Sequence, residues 1–564
     1  MISTSDKTGK PHRLRRLFLS TVSDDFNPQI DIALGEWCFA GKEEIWPEWH
    51  QQEFYTPFNN FLDRGKQADA TRWLAHQLIS DLASELNVRH GTEYSIEFWH
   101  RQLINWTLHL VQGSWKLYKL LEHTVEIYGD KTLEIQIIGP SHITSIDSSF
   151  QFIINLFENR LFTWSILSEI TKELAPLNWN LIEVKKIDKL ESVQLSFDKL
   201  RPHFHNVSGV RRRVDAPFVA LMSLLCWIKR PVQKTHFIQP VIIPANPFPA
   251  KFLQVIKRLM ELTIPKTFTD NFIDLDAKIK SRPRRPGSIR LGGVQLNSDS
   301  DAFESAHSLL AGEKVISVQH GGAYGWNDRF DQIAEVEYSL SAFITWGWSQ
   351  HSDYRGTFLP LPCPMLSRKK YKRKNSNLLF VGTVMYAFNP RLDQYPPPIN
   401  YRTDKLNLLN HIKPKVRKNI VYRQYNPVKH FSDYQYIKNK FPEISVLTED
   451  MWDNMLTCKL MVFDHPSTSL CQALAWNIPT VVFWNHDEWS HNTDGEKLFY
   501  ALKEAGILFD SHSDAAKQIN EIWDNVEDWW NSKNVQSARK KWTNSFAHSS
   551  RFWWIYWLKA AWQL

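Results

Sequence analysis

Apolar residues recur at helical spacing through ATRWLAHQLISDLASELNVRHG (70–91), and the pattern stops at His90-Gly91. SIEFWHRQLINWTLHLVQGSWKLYKLLEHTVEIYG (95–129) continues it, and KTLEIQIIG (131–139) reads as a strand between helices. Residues from about 30 to 175 therefore predict mostly helices. Apolar runs occupy 215–245, and SRPRRPG (281–287) reads as a loop. From 288 the rhythm changes. SIRLGGVQL is strand-like, DAFESAHSLLAGE helix-like, KVISVQHGG a strand ending in glycines, and AFITWGW another strand. Strand, helix, strand at this spacing predicts a parallel α/β sheet.

A second α/β unit follows SRKKYKRKNS (367–376). NLLFVGTVMY, NIVYRQYNP, ISVLTED, KLMVFDHP and PTVVFWN supply short apolar strands, each closed by turn residues, and STSLCQALAW is helical between the last two. This is the pattern of a doubly wound domain. The fold class expected is α/β. The expected units are an N-terminal domain over 1–366, a basic linker over 367–376, a second α/β domain over 377–545 and a terminal helix over 546–564.

Composition narrows the picture. The chain has 564 residues, too many for one core. A hydrophobic fraction of 43% with 23% charged residues is that of a folded soluble protein. A net charge of +7 suits anionic substrates or a membrane surface and does not point to nucleic acid. The five cysteines, Cys38, Cys226, Cys363, Cys458 and Cys471, show no CxxC spacing, so a reduced, cytoplasmic setting without structural zinc is expected. No signal peptide and no spanning helix are read. The 25 tryptophans suit packing, sugar stacking or membrane anchoring.

Two stretches carry candidate chemistry. In LMVFDHPSTSLCQALAW, Asp464 and His465 leave a strand, and Ser467, Thr468 and Ser469 stand where a helix begins. Free amides and the helix dipole there favour a phosphate, although an ordinary capped helix has the same pattern. No GxGxxG or Walker A sequence is present, which disfavours dinucleotide and ATP sites. In VISVQHGGAYGW, His320 ends a strand, and Gly321 and Gly322 let backbone amides approach a ligand. The histidine suits acid–base work or a phosphate contact, or a purely structural role. Asp299, Asp301, Glu335 and Glu337 flank that strand, and any of them would serve as base or nucleophile. Glu36, an acid between Gly and Trp, is a further catalytic candidate, or a buried salt-bridge acid. Arg423, after a strand, is placed to pair with a donor phosphate or to sit on the surface. FIDLDAK and DSDAF contain D-x-D, a triplet common by chance.

The stretch from Ser469 through Gln472 and Ala473 to Pro479 resembles the S/T-x-x-E-A helix of the second domain of GT-B glycosyltransferases, which holds nucleotide-sugar phosphates or ribose. Gln472 stands where many members carry Glu. LGEWC, RHGTEYSIEFW, QHGGAYG, TWGW, the DHPSTSLCQALAWNIPTVVFWN block and the closing FAHSS segment occur in that order. Together they resemble a family of bacterial transferases found with surface-polysaccharide genes, similar to Kdo transferases and more distantly to glycerophosphate polymer transferases. The resemblance implies a GT-B-like arrangement: two Rossmann-like domains facing a cleft, with a largely helical N-terminal elaboration. It implies that His320, Gly321, Gly322 and Tyr324 line the cleft, and that no metal and no cofactor are needed.

The activity expected is transfer of a sugar from a nucleotide-activated, for example CMP-linked, donor to a glycan or lipid-linked acceptor at the cytoplasmic side of the inner membrane. Two other readings stand beside it: a CDP-alcohol-dependent polyol-phosphate transferase, and a non-catalytic glycan-binding assembly protein. The terminal RFWWIYWLKAAW is either a helix packed back on the first domain or an amphipathic membrane contact.

Overall fold

The computed structural model describes residues 14–58, 61–185, 241–291, 298–367, 369–383, 385–386, 388–392, 398–424, 431–448 and 451–563. Cys226, the apolar runs over 215–240 and parts of the SIRLGGVQL, NLLFVGTVMY, VYRQYNP and ISVLTED stretches lie outside them.

Three parallel sheets organise the described residues. The first joins β1 (Arg15–Phe18), β2 (Ile32–Ala33), β3 (Leu133–Ile137) and β4 (Asn180–Glu183) in the order β2-β1-β3-β4. The second joins β5 (Ile289–Leu291), β6 (Lys314–Val318), β7 (Ala342–Thr345) and β8 (Phe358–Pro360) in sequence order. The third holds β9 (Leu378–Gly382), β10 (Ile420–Gln424), β11 (Ser445–Val446), β12 (Leu460–Phe463), β13 (Thr480–Phe483) and β14 (Leu508–Phe509). Its order, β11-β10-β9-β12-β13-β14, is the doubly wound 3-2-1-4-5-6 arrangement. Every residue of β9, β12 and β13 is buried. Helices on both faces require such continuous apolar strands.

The N-terminal part is not helical alone. The strand read in KTLEIQIIG is β3, and its partners β1 and β4 escaped the pattern because β1 reads RRLF and β4 is mostly exposed. The charge on β1 is absorbed locally: Arg16 Nη2 lies 2.6 Å from Asp31 Oδ2 and Arg16 Nη1 3.2 Å from Asp25 Oδ1.

Two long helices, α1 (Phe61–His90) and α2 (Ile96–Tyr128), form a hairpin through Gly91–Ser95. The Ser95 side chain caps α2 by accepting from Phe98 N at 3.4 Å. Residues 98–115 of α2 are buried on all sides, polar ones included. Those polar groups must find partners inside the protein. Arg101 donates to the Ser339 carbonyl at 2.9 Å, and His109 Nδ1 donates to the Asn105 carbonyl at 2.7 Å.

The terminal helix Trp553–Gln563 lies on the second sheet. Trp553 and Trp557 pack with Ile316, Val318, Ala342, Ile344 and Leu361, and Trp557 Nε1 donates to the Pro362 carbonyl at 2.9 Å. The basic stretch is laid along the third sheet's unit: Lys372 N donates to the Leu456 carbonyl at 3.1 Å, and the Tyr371 hydroxyl to the Cys458 carbonyl at 2.8 Å.

Candidate functional site

β6 ends at Val318, and the chain then makes the turn Gln319–Trp326. Gln319 fixes that turn. Its Oε1 accepts from Trp346 N and from Trp348 Nε1, both at 2.9 Å, and its Nε2 donates to the Gly321 carbonyl at 2.8 Å. One buried amide thus ties the QHGG and TWGW stretches together. Gly325 has φ +83°, and a Cβ there would lie 2.5 Å from the Trp348 ring. Only glycine suits that position.

The turn presents His320 to two other side chains. Its Nε2 lies 3.1 Å from Glu337 Oε1 and 2.6 Å from the Tyr324 oxygen, and the Tyr324 hydroxyl lies 3.5 Å from Glu337 Oε2. The Glu337 side chain is fully buried, whereas that of His320 is 21% exposed. Burial, then the Glu337 charge, raises Tyr324 well above the ordinary tyrosine range, so its hydroxyl keeps its proton. One assignment satisfies the trio: Nε2–H donates toward Glu337 and Tyr324, and the Tyr324 O–H donates to Glu337. That leaves Nδ1 with the basic lone pair. Among the described residues no hydrogen bond reaches it.

The same turn rests on the third sheet's unit. Ser467 caps the helix Thr468–Ala475, its hydroxyl accepting from Leu470 N at 3.3 Å. A Cβ on Gly322 would stand 2.5 Å from the Ser467 carbonyl oxygen and 2.7 Å from Thr468 N. The absent side chain lets the two backbones touch. On Gly321, a Cβ would lie 3.7 Å from Thr468 Oγ1. Asn492 adds a second tie, donating its amide N–H to the Trp326 carbonyl at 2.8 Å and its Nδ2 to the Gly325 carbonyl at 3.0 Å. The two sequence stretches singled out for chemistry therefore form one locus.

This locus lies at the carboxyl ends of β9 and β12, where the strand order reverses and α/β sheets hold their ligands. Asp464 closes the strand ends: its Oδ1 accepts from Thr383 N at 3.0 Å and lies 2.6 Å from His465 Nδ1. Beneath it is a buried ion cluster. Lys405 Nζ lies 2.8 Å from Asp433 and 3.8 Å from Asp464, and Arg402 Nε lies 2.7 Å from Asp433. These cations hold Asp433 below the ordinary carboxylate range despite its burial.

The other sequence candidates stand elsewhere. Asp299 Oδ2 accepts from Ser149 N at 2.9 Å, pinning two helices together, and burial raises its pKa. Asp301 sits in the first turn of the helix Asp299–Leu310, where its charge suits the dipole. Glu335 faces Arg72, His76 and His100, not His320. It shares with Glu337 the π-helical turn Ala334–Tyr338, and residues two apart on a helix point to different sides. Arg423, on β10, donates to its neighbouring Gln424 carbonyl and to the Tyr434 hydroxyl. Gln472 is buried, with its Nε2 3.5 Å from Met365 Sδ. Glu36 is buried against the Ile399 amide at the start of the helix Pro398–His411, and burial pushes its carboxyl up to about 8. No contact joins it to His320.

Sequence reasoning did not single out Arg402, Lys405, Asp433 or Arg391. Arg391 follows β9 and lies 5.6 Å over the Phe330 ring, which packs on Tyr324. None of these residues belongs to a recognisable spacing.

A family model described as LIC12162 family transferase matches residues 15–214 and 233–560. The chain belongs to this family. The match spans both the β6 turn and the capped helix, so the locus above lies within the part common to these transferases. A search of curated proteins gave no match. Among the described residues no helix is long and apolar enough to cross a membrane.

Proposed function

We propose that this transferase is a glycosyltransferase of GT-B-like arrangement, which moves a sugar from a nucleotide-activated donor to a hydroxyl of a glycan or lipid-linked acceptor. The observation that carries the reading is the contact of the His320–Gly322 turn with the capped helix Thr468–Ala475. It sets a carboxylate-backed imidazole beside helix amides. Among the described residues no hydrogen bond occupies the amide of Ser469 at the start of this helix, and such an amide suits a phosphate.

In the proposed step, His320 Nδ1 takes the proton of the acceptor hydroxyl. The acceptor oxygen bonds the anomeric carbon of the sugar, and the bond from that carbon to the donor phosphate oxygen breaks. The electron pair leaves on the phosphate, whose growing charge the helix amides meet. Glu337 stabilises the imidazolium that forms, as a carboxylate does for a catalytic histidine. The acceptor enters from the β5–β8 side, and the product leaves toward the cytoplasmic face of the membrane.

A non-catalytic glycan binder would use tryptophan as a stacking platform. Here Trp99, Trp106, Trp326, Trp346, Trp542 and Trp557 are fully buried and act as packing, and the exposed Trp554 and Trp562 stand on the terminal helix, away from the His320 turn in sequence. That favours the catalytic reading.

The test is a thermal shift with CMP, CDP, UDP and GDP. One nucleotide should stabilise the protein, and His320→Ala should retain that shift while losing turnover of the corresponding sugar donor. No stabilisation by any of the four at millimolar concentration would remove the reading.

A further inference from the structure

We propose that His76, His100 and Glu335 form a buried site for a divalent transition metal of the zinc class, which fastens the α1–α2 hairpin to the turn that carries Glu337. The site is built from three elements: His76 from α1, His100 from α2, and Glu335 from the π-helical turn Ala334–Tyr338.

The argument begins with distances. The two imidazole Nε2 atoms lie 3.3 Å apart. His76 Nε2 is 3.2 Å from Glu335 Oε1, and His100 Nε2 is 3.4 Å from Glu335 Oε2. A tetrahedron with metal–ligand bonds of about 2.0–2.1 Å has edges of ~3.3–3.4 Å. The Nε2–Nε2 and His100–Oε2 separations match that edge, and the carboxylate's other oxygen, Oε1, stands 3.2 Å from His76 Nε2.

The surroundings point the same way. Glu335 Oε2 is buried and makes no hydrogen bond among the described residues. Such an atom calls for an explanation, an ion included. Its partner Oε1 accepts from Arg72 Nη2 at 2.6 Å and Nε at 3.1 Å, which fixes the carboxylate's orientation. Arg72 does not exhaust the negative charge. Among the described residues, Asp69, Asp331 and Glu335 form one network with only Arg72 and Arg329 as guanidinium partners. Arg101, the next cation, is engaged by Ser339 and by the charge of Glu97.

The donor set names the class of ion. Two imidazoles and one carboxylate suit zinc, cobalt or iron and disfavour magnesium and calcium, which take oxygen ligands. The His76 side chain is 16% exposed, so a fourth position has access to water. The histidines stand 24 positions apart and the acid 235 positions further on, so no motif spacing announces the site.

The experiment uses the full chain, purified without metal-affinity resin. Elemental analysis should find about one equivalent of zinc or a related ion. After chelator treatment, added Co2+ should give the visible bands of a four-coordinate site, and zinc should abolish them. His100→Gln and Glu335→Gln should lose the bands, while His90→Gln should keep them. Folding is followed by near-ultraviolet circular dichroism. A folded wild-type protein that holds no metal and gives no Co2+ bands would overturn the proposal, even if the variants fail to fold. So would undiminished bands in a folded His100→Gln protein. Metal content is read without donor or acceptor, so failure here leaves the sugar-transfer reading standing.

Discussion

Gly322→Ala probes the contact on which the functional reading rests. The added Cβ would stand 2.5 Å from the Ser467 carbonyl oxygen, 2.6 Å from its carbon and 2.7 Å from Thr468 N. All three are backbone atoms, so no side chain can swing away. Ordinary contact begins near 3.5 Å, so the turn and the helix must separate by roughly 1 Å. Overpacking of this kind costs about 1–3 kcal/mol of stability. A displacement of ~1 Å at a reacting centre costs on the order of 10²-fold in rate. Gly321→Ala is the internal comparison. Its nearest neighbours are the Tyr324 ring at 3.2 Å and Thr468 Oγ1 at 3.7 Å, both of which can yield. Neither glycine has a positive φ, so backbone strain does not enter. Urea denaturation and turnover of the donor found by the nucleotide screen, measured on both variants, should rank Gly322→Ala well below Gly321→Ala. Equal stability and equal turnover in the two would refute the close approach, and with it the single locus.

Other consequences are open to measurement. Glu337→Gln should lower turnover by on the order of 10²–10⁴-fold while leaving the nucleotide thermal shift in place, because the residue touches His320 and not the helix amides. Unchanged turnover would remove Glu337 from the mechanism. Glu36 bears on stability. Burial raises its carboxyl from 4.5 to about 8, opposed by the Ile399 amide and Lys116. A raised carboxyl gives its stability below the unfolded value and loses it as pH climbs through the folded one. Wild-type stability relative to Glu36→Gln should therefore fall from about pH 5 to about pH 8, by at most about 1.4 kcal/mol per pH unit. A flat difference in denaturation midpoint would contradict the burial argument. The terminal helix and the residue before it expose Phe552, Trp554, Ile555, Tyr556 and Trp562, and Ser550 N donates to Ser367 Oγ at 3.0 Å where the basic stretch begins. Aromatic and basic groups side by side match an anionic lipid surface. Flotation with phosphatidylglycerol vesicles should be lost in Trp554→Ser/Ile555→Ser, whose residues lie outside the core. Retained flotation would rule the face out.

What the sequence showed depended on how each group is satisfied. β9, β12 and β13 were legible because burial on both faces demands unbroken apolar runs. β1 was hidden because two of its four residues are arginines, and their partners Asp25 and Asp31 lie across a turn that no periodicity encodes. His320 was legible as a polar residue closing an apolar strand before two glycines. Its partner was not, since four acids flank that strand and spacing treats them alike. The choice of Glu337 over Glu335 is made by a π-helical turn of five residues, which sends one carboxylate to the sheet end and the other to the helical hairpin. The same turn accounts for the missed pair His76 and His100. They are unremarkable members of two helical patterns until α1 and α2 fold back on each other and bring both rings to Glu335. A local rule reads one element at a time, and Glu335 meets Arg72, His76 and His100 only across elements distant in the chain.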